Sequence, residues 1–148
     1  MMEIIPMQHR DIPAVCAIEQ AVFADAWSEQ TVTDSFESPF GVWLVVRGED
    51  GVPKAYLGGM CIAGEAEIYR VAAHPEHRRQ GLGEQLVRAL AAMNGVDAIF
   101  LEVRRSNAPA RALYEKCGFT VCGERKNYYE HPTEDAVLMR WEQGEGQL

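Results

Sequence analysis

The sequence predicts a single α/β (α+β) domain: a mixed, mostly antiparallel sheet of about seven strands with helices on both faces. Three observations carry this. Residues 42 to 73 hold three extended segments separated by short turn signals, the mark of an antiparallel meander. At Gly81 the apolar period changes to 3.6. The continuous apolar run Ala98-Ile99-Phe100-Leu101 then follows, as in a strand covered on both faces.

The elements follow in order. Ile4-Ile5 suggests a short first strand. Asp11 stands before Ile12-Pro13 as an N-cap with proline early in the first turn. Val15, Ile18, Val22 and Phe23 then recur at helical spacing. Ser28 and Glu29 open a second helix reaching Phe36 or Glu37, which Pro39 ends. Val42 to Val46 is a strand, and Glu49-Asp50-Gly51 a turn. The next strand runs from about Ala55 to Ile62, with Gly58-Gly59 marking a bend or bulge. Ala66 to Ala73 is the third of the meander. Leu82, Leu86, Val87, Leu90 and Met93 line one face of a helix that Asn94-Gly95 stops. After the apolar strand near 98–103, Asn107 caps a helix with Ala110, Leu113, Tyr114 and Cys117 inside, ended by Gly118. Strands at about Thr120 to Tyr128 and Ala136 to Trp141 complete the order β-α-α-β-β-β-α-β-α-β-β. Strand, helix, strand over residues 66 to 103 form a crossover unit, so those two strands can run parallel. Residues 1–142 read as one domain and 143–148 as a frayed tail.

A length of 148 residues fits one core, and 47% apolar with 24% charged residues is an ordinary globular balance. No apolar run approaches the ~18 residues of a membrane span. The start, Met1 to Pro6, lacks the blocks of a signal peptide, so a cytoplasmic location is expected. Cys16, Cys61, Cys117 and Cys122 have no C-x-x-C spacing and read as reduced, mostly buried thiols. His9, His74, His77 and His131 read as exposed or loop histidines, and no metal site is expected. The net charge of −8 and the lack of a basic stripe argue against nucleic-acid binding. That charge suits a cationic partner, or simply solubility.

Arg78-Arg79-Gln80-Gly81-Leu82-Gly83 lies between a strand and a helix. The first amides of a helix lack internal partners and point outward at its positive end, so an anion there accepts several hydrogen bonds. Gly81 and Gly83 remove side chains that would block approach, and Arg78 and Arg79 add charge. A dinucleotide fingerprint would need glycine where Leu86 stands, and a Walker loop needs Gly-Lys-Ser/Thr. The plain alternative is a basic loop with two turn glycines.

This turn resembles the R/Q-x-x-G-x-G/A signature of the GNAT (GCN5-related) N-acetyltransferases, and the order of elements is similar over nearly the whole chain. Val71-Ala72-Ala73-His74-Pro75 resembles the run that precedes it in that family. The resemblance implies acetyl-CoA as co-substrate, its pyrophosphate held by Arg78 to Glu84. It also implies a pantetheine arm bound by the backbone of Val71, Ala72 and Ala73, and a cofactor contact at Asn107. Leu101-Glu102-Val103-Arg104-Arg105-Ser106-Asn107, Ala112-Leu113-Tyr114-Glu115-Lys116-Cys117-Gly118-Phe119 and Arg125-Lys126-Asn127-Tyr128-Tyr129 further resemble the RimI-type branch, which acetylates an N-terminal alanine of a small-subunit ribosomal protein. Trp27-Ser28-Glu29 is similar too, although Ala26 replaces a common proline.

The resemblance implies Glu102 as general base and Tyr114 as general acid. The chemistry agrees: an α-amino group, with a pKa of about 7.7–8.0, is mostly ammonium at pH 7, and a leaving thiolate needs a proton. Trp27, Tyr128 and Tyr129 are implied to line the acceptor cleft. Spacing alone favours the plainer readings: Glu102 as a solvated strand end, Tyr114 as a core aromatic and Asn107 as only a cap. Arg104 and Arg105 read as substrate or phosphate contacts, or equally as surface charge. The expected partner is a peptide N-terminus of a basic ribosomal protein, with neither nucleic acid nor membrane bound directly, and a monomer suffices. Acetylation of a small amine or a lysine side chain, or a non-catalytic acyl-CoA-binding module, are the other readings.

Overall fold

Seven strands form one sheet in the order β1-β2-β3-β4-β5-β7-β6 in the computed structural model, which describes residues 2–144. The elements are β1 (Glu3–Pro6), α1 (Ile12–Val22), α2 (Glu29–Glu37), β2 (Gly41–Arg47), β3 (Pro53–Ile62), β4 (Glu65–Ala73), α3 (Leu82–Ala91), β5 (Ala98–Arg104), α4 (Ala108–Lys116), β6 (Thr120–Tyr129) and β7 (Glu134–Glu142). Only β4 and β5 run parallel, joined by the α3 crossover; the other five neighbouring pairs are antiparallel. The expected order and mixture of directions are therefore present.

Alternation along the strands splits the apolar residues between two layers. Leu44, Val46, Leu57, Ile68, Leu101 and Met139 face α3, whose Leu82, Leu86, Val87 and Leu90 close one core. Val45, Tyr56 and Ala72 face the other way, against Val15 and Ile18 of α1 and Val32 of α2. Ala110, Leu113, Tyr114 and Cys117 of α4 pack on the α3 side.

Several local expectations are met for the reasons given. The Ser28 side chain accepts the Thr31 amide at the start of α2, and the Asn107 side chain accepts the Ala110 amide at the start of α4. The register shifts between Gly58 and Gly59. A Cβ on Gly59 would lie 2.0 Å from the Glu67 carbonyl oxygen, so only glycine lets β3 press that closely on β4.

Others need correction. Asp11 is not a side-chain cap: it makes no capping bond and turns inward to a two-bond pair with Arg47, at 2.7 and 3.2 Å. Arg47 is buried on β2, and a buried guanidinium needs a counter-charge more than a helix end needs one acceptor. Met93 leaves the inner face because α3 ends at Ala91, and it is exposed. The cysteines are less buried than expected: three are half-buried, and Cys122, on the edge strand β6, is exposed. Gln143 donates its amide to the Asp97 carbonyl at 2.8 Å; the rest of the expected tail, 145–148, lies outside the described residues.

Candidate active site

The sheet opens where its one parallel pair ends. β4 and β5 are in register only from Glu65 to Ile68 against Ala98 to Leu101. Beyond that, β4 continues to Ala73 bonded to β3 alone, and β5 to Arg104 bonded to β7 alone. The facing backbone edges of residues 69–73 and 102–104 thus have no ladder partner, and backbone groups without partners await a ligand or water. Val71 and Ala73 pack on the α3 side and Ala72 on the α1 side, leaving their backbone along the gap.

The expected anion turn closes one end of this gap. Gly81 is the N-cap of α3 in the left-handed region, φ 71° and ψ 19°. No side chain caps this helix, and its first internal bond is Gln85 to the Gly81 carbonyl. The amides of Leu82, Gly83 and Glu84 therefore point into the turn. Arg78, Arg79 and Gln80 are exposed, and neither arginine has an ion pair among the described residues. The two glycines serve different ends. Gly81 supplies its positive φ with open space around it, whereas a Cβ on Gly83 would stand 3.1 Å from Leu113 Cδ1. The Glu84 carboxylate bonds Arg88 and Lys116 at 2.9 and 3.0 Å, which holds it below the usual carboxylate range. Glu84 thus presents its amide to the turn.

Glu102 stands at one edge of the gap, and Tyr114 lies on α4, on the α3 side of the sheet. Glu102 lies on β5 just beyond the last paired residue and accepts Arg125 Nε at 2.9 Å. The Glu102 carboxylate first, and then burial, raise the Tyr128 phenol. Tyr114, on α4, has its ring 5.7 Å from that of Phe119. Its hydroxyl makes no hydrogen bond among the described residues and is not sealed from solvent. Burial first, then the neighbouring Tyr129 and Cys117, push this phenol up to about 12. Burial likewise pushes Tyr129 up to about 12, with Glu102 adding to the effect. A carboxylate at the gap edge and a protonated phenol, with Tyr129 near both, thus accompany a helix N-terminus able to take an anion.

Residues 12–119 match the model of the acetyltransferase (GNAT) family. The chain belongs to this family. It is an acetyl-CoA-dependent N-acetyltransferase. Its relatives include the ribosomal protein bS18-alanine N-acetyltransferase of Escherichia coli, 36% identical over 146 residues, covering 94% of this chain and 96% of the relative. The Salmonella typhimurium protein of the same name is 37% identical, with 87% and 89% covered. A crystal structure of the E. coli ribosomal-protein-S18-alanine N-acetyltransferase superposes with a TM-score of 0.89 at 33% identity, over 96% of this chain and 94% of that one.

On the side of the gap facing α1 and α2, the GNAT sheet carries a partly aromatic cleft. Trp27, in the loop between those helices, stands 5.8 Å from Tyr69 and 6.3 Å from Trp43. It lines a pocket of about 420 Å³ with Phe40, Met60, Tyr69 and Asp34. Tyr128 and Tyr129 contact each other edge to face at 5.0 Å, where Asn127 at φ 52° and a register shift after Arg125 break the alternation of β6.

Arg104 and Arg105 are committed elsewhere. Arg104 donates to the Pro132 and Glu130 carbonyls at 2.9 and 2.8 Å and stacks on Tyr129. Arg105 pairs with Glu124 at 3.0 Å. They hold the β6–β7 turn. No group of side chains suited to a metal occurs among the described residues, and no helix there is long and apolar enough to cross a membrane.

Residue-by-residue reading passed over Glu67, Tyr69 and Arg125. Glu67 pairs in register with Phe100, and its carboxyl is raised first by burial and then by Glu102. The signal was present: Glu67 and Tyr69 alternate with buried Ala66 and Ile68, so they must face the other side of β4. Arg125 was visible in its motif, but its partner depends on the register of β6.

Proposed function

We propose that the chain transfers the acetyl group of acetyl-CoA to the α-amino group of a protein N-terminus, an N-terminal alanine of a small-subunit ribosomal protein. Supporting this reading are the β4 and β5 edges left without a ladder partner, with Glu102 on one of them, and relatives that along almost their whole length bear that activity in their names. The residues of the turn fit a CoA pyrophosphate. Three helix amides, two arginines without ion pairs and a left-handed glycine meet at one point, which is the physical recipe for an anion site. The splayed edge at Val71, Ala72 and Ala73 suits the amides of a pantetheine arm, and Asn107, at the start of α4, would contact the cofactor.

In this reading the α-ammonium gives a proton to Glu102, directly or through water. The freed amine attacks the thioester carbonyl carbon; a C–N bond forms, the C–S bond breaks, and the second proton lost by the attacking nitrogen passes to the departing thiolate. The developing oxyanion is met by backbone amides along the gap. Tyr114 donates to the departing sulfur. With its phenol at about 12, Tyr114 stays protonated throughout the working range. Full transfer to a thiol of ordinary pKa, about 8.5, is uphill by about 3 to 4 units. Its contribution is therefore a hydrogen bond that strengthens as sulfur becomes anionic. Trp27, Tyr128 and Tyr129 line the acceptor side, and the net charge of −8 suits a basic ribosomal protein.

Positioned proton transfer is worth about 10²–10⁴-fold, so Glu102→Gln is expected to lower kcat by about 10² or more, with Tyr114→Phe smaller but of the same sign. Acetyl-CoA affinity should stay within about threefold in both. Turnover equal to wild type in both variants would overturn the assigned chemistry.

A further inference from the structure

Behind Trp27 lies a buried charged cluster that the transfer chemistry does not use. Glu19, on α1, is fully buried. Its Oε2 accepts the Trp27 backbone amide at 2.9 Å. Its Oε1 accepts the Tyr56 hydroxyl and stands 3.3 Å from Arg70 Nε. Arg70, on β4, donates from Nη2 to the Asp25 carbonyl at 3.0 Å. Its guanidinium carbon lies 4.2 Å from the centre of the Phe23 ring and 5.3 Å from that of Trp27. Phe23, Asp25 and Trp27 all belong to the connection between α1 and α2, residues 23–28.

The cluster is a poor device for stability alone. A buried ion pair is on balance no better than apolar packing of the same volume. Arg70 Nε is moreover sealed from solvent and stands 3.3 Å from Glu19 Oε1 without forming a hydrogen bond to it. What the cluster does achieve is geometric. One carboxylate joins α1, β3 and β4 to the loop between α1 and α2. Arg70 also directly precedes Val71, so the loop is tied to the same stretch of β4 that borders the gap.

We infer that Glu19, with Arg70 and Tyr56, is a positioning network for the acceptor. It fixes residues 23–28 and, through Trp27, sets the shape of the cleft that admits the amine. The inference rests on the cleft beside Trp27 being the acceptor side. A loosened loop should admit acceptor less well while leaving the pyrophosphate turn of α3 in place, because no member of the network contacts that turn among the described residues.

The test is steady-state kinetics on the full chain with an alanine-initiated peptide, varying each substrate in turn. Losing one charged hydrogen-bond centre predicts an acceptor KM raised about tenfold in Glu19→Gln, with the acetyl-CoA KM within about twofold. Coupled residues are non-additive, so adding Arg70→Met to Glu19→Gln should raise the acceptor KM by less than about threefold more. If Glu19→Gln does not accumulate folded, Tyr56→Phe, which removes only a hydroxyl, carries the same expectation at about threefold. Equal rises in both KM values, strictly multiplicative effects, or an unchanged acceptor KM would each overturn the inference. Should wild type prefer another class of amine, the same split is read on that amine. Failure of the N-terminal reading is thereby separate from failure of the network.

Discussion

Gly81 and Gly83 stand two residues apart, and different forces require each. Gly81 holds φ 71° with nothing closer to a Cβ than 4.0 Å, so a substitution there costs backbone strain of about 1–2 kcal/mol and no clash. At Gly83 a Cβ would meet Leu113, on the helix that carries Tyr114. Gly83→Ala is therefore expected to shift α4 as well as α3 and to lower kcat, since small displacements at a reacting centre are amplified in rate. Gly81→Asn, a residue that tolerates the left-handed region, should keep kcat and change mainly acetyl-CoA affinity. Titration calorimetry together with kcat separates the two. Equal loss of kcat in both variants would contradict this division. The glycines were legible in sequence as one signal, a turn that accepts an anion. Their separate reasons were not, because the Leu113 contact joins residues thirty apart in the chain.

At the scale of elements, α4 is only nine residues long, too short to be stable without its cap and its packing. Asn107→Ala should cost about 1 kcal/mol in urea denaturation, and Asn107→Ser, which can still cap, only a fraction of that. If the side chain also contacts the cofactor, both variants lose acetyl-CoA affinity; intact affinity in both would leave Asn107 as a cap alone. Elements of this kind were open to sequence reasoning because their signals are local: Ser28 and Asn107 cap, Gly58-Gly59 bulges, and the period changes at Gly81. Where reasoning failed, the winning contact was long-range. Asp11 reads as a cap until Arg47, thirty-six residues away, draws its carboxylate inward. Glu19 carries no local signal of its burial, which comes from Tyr56 and Arg70 being brought over it. The opening between β4 and β5, on which the site depends, is a difference in pairing partners and has no signature of its own in either strand.

At the scale of the whole molecule, electrostatics sets the pH range of the fold. Asp135 is held low by the Asn127 amide and Lys126, Glu134 by Ser106 and Arg104, Glu84 by Lys116 and Arg88, and Asp50 by Lys54 and the Val52 amide. For a carboxyl whose folded pKa lies below its unfolded value, the stabilisation is present above the unfolded pKa, about 4. It is lost as pH falls through the folded one. Glu67 has the opposite sign, because its raised carboxyl binds a proton more tightly when folded. Four lowered groups outweigh one raised group, so the Tm should fall steadily below about pH 4.5, and a Tm flat down to about pH 3 would contradict the assignment.

The central claim concerns where the acetyl group goes. The measurement that tests it most directly is fragment mass spectrometry on a peptide that begins with alanine and also contains lysine, after incubation with the purified protein and acetyl-CoA. The account predicts one acetyl group, on the α-amino nitrogen of the alanine, with release of CoA. Acetyl groups on the lysine side chain alone, or acetyl-CoA bound with no transfer to any amine, would contradict it.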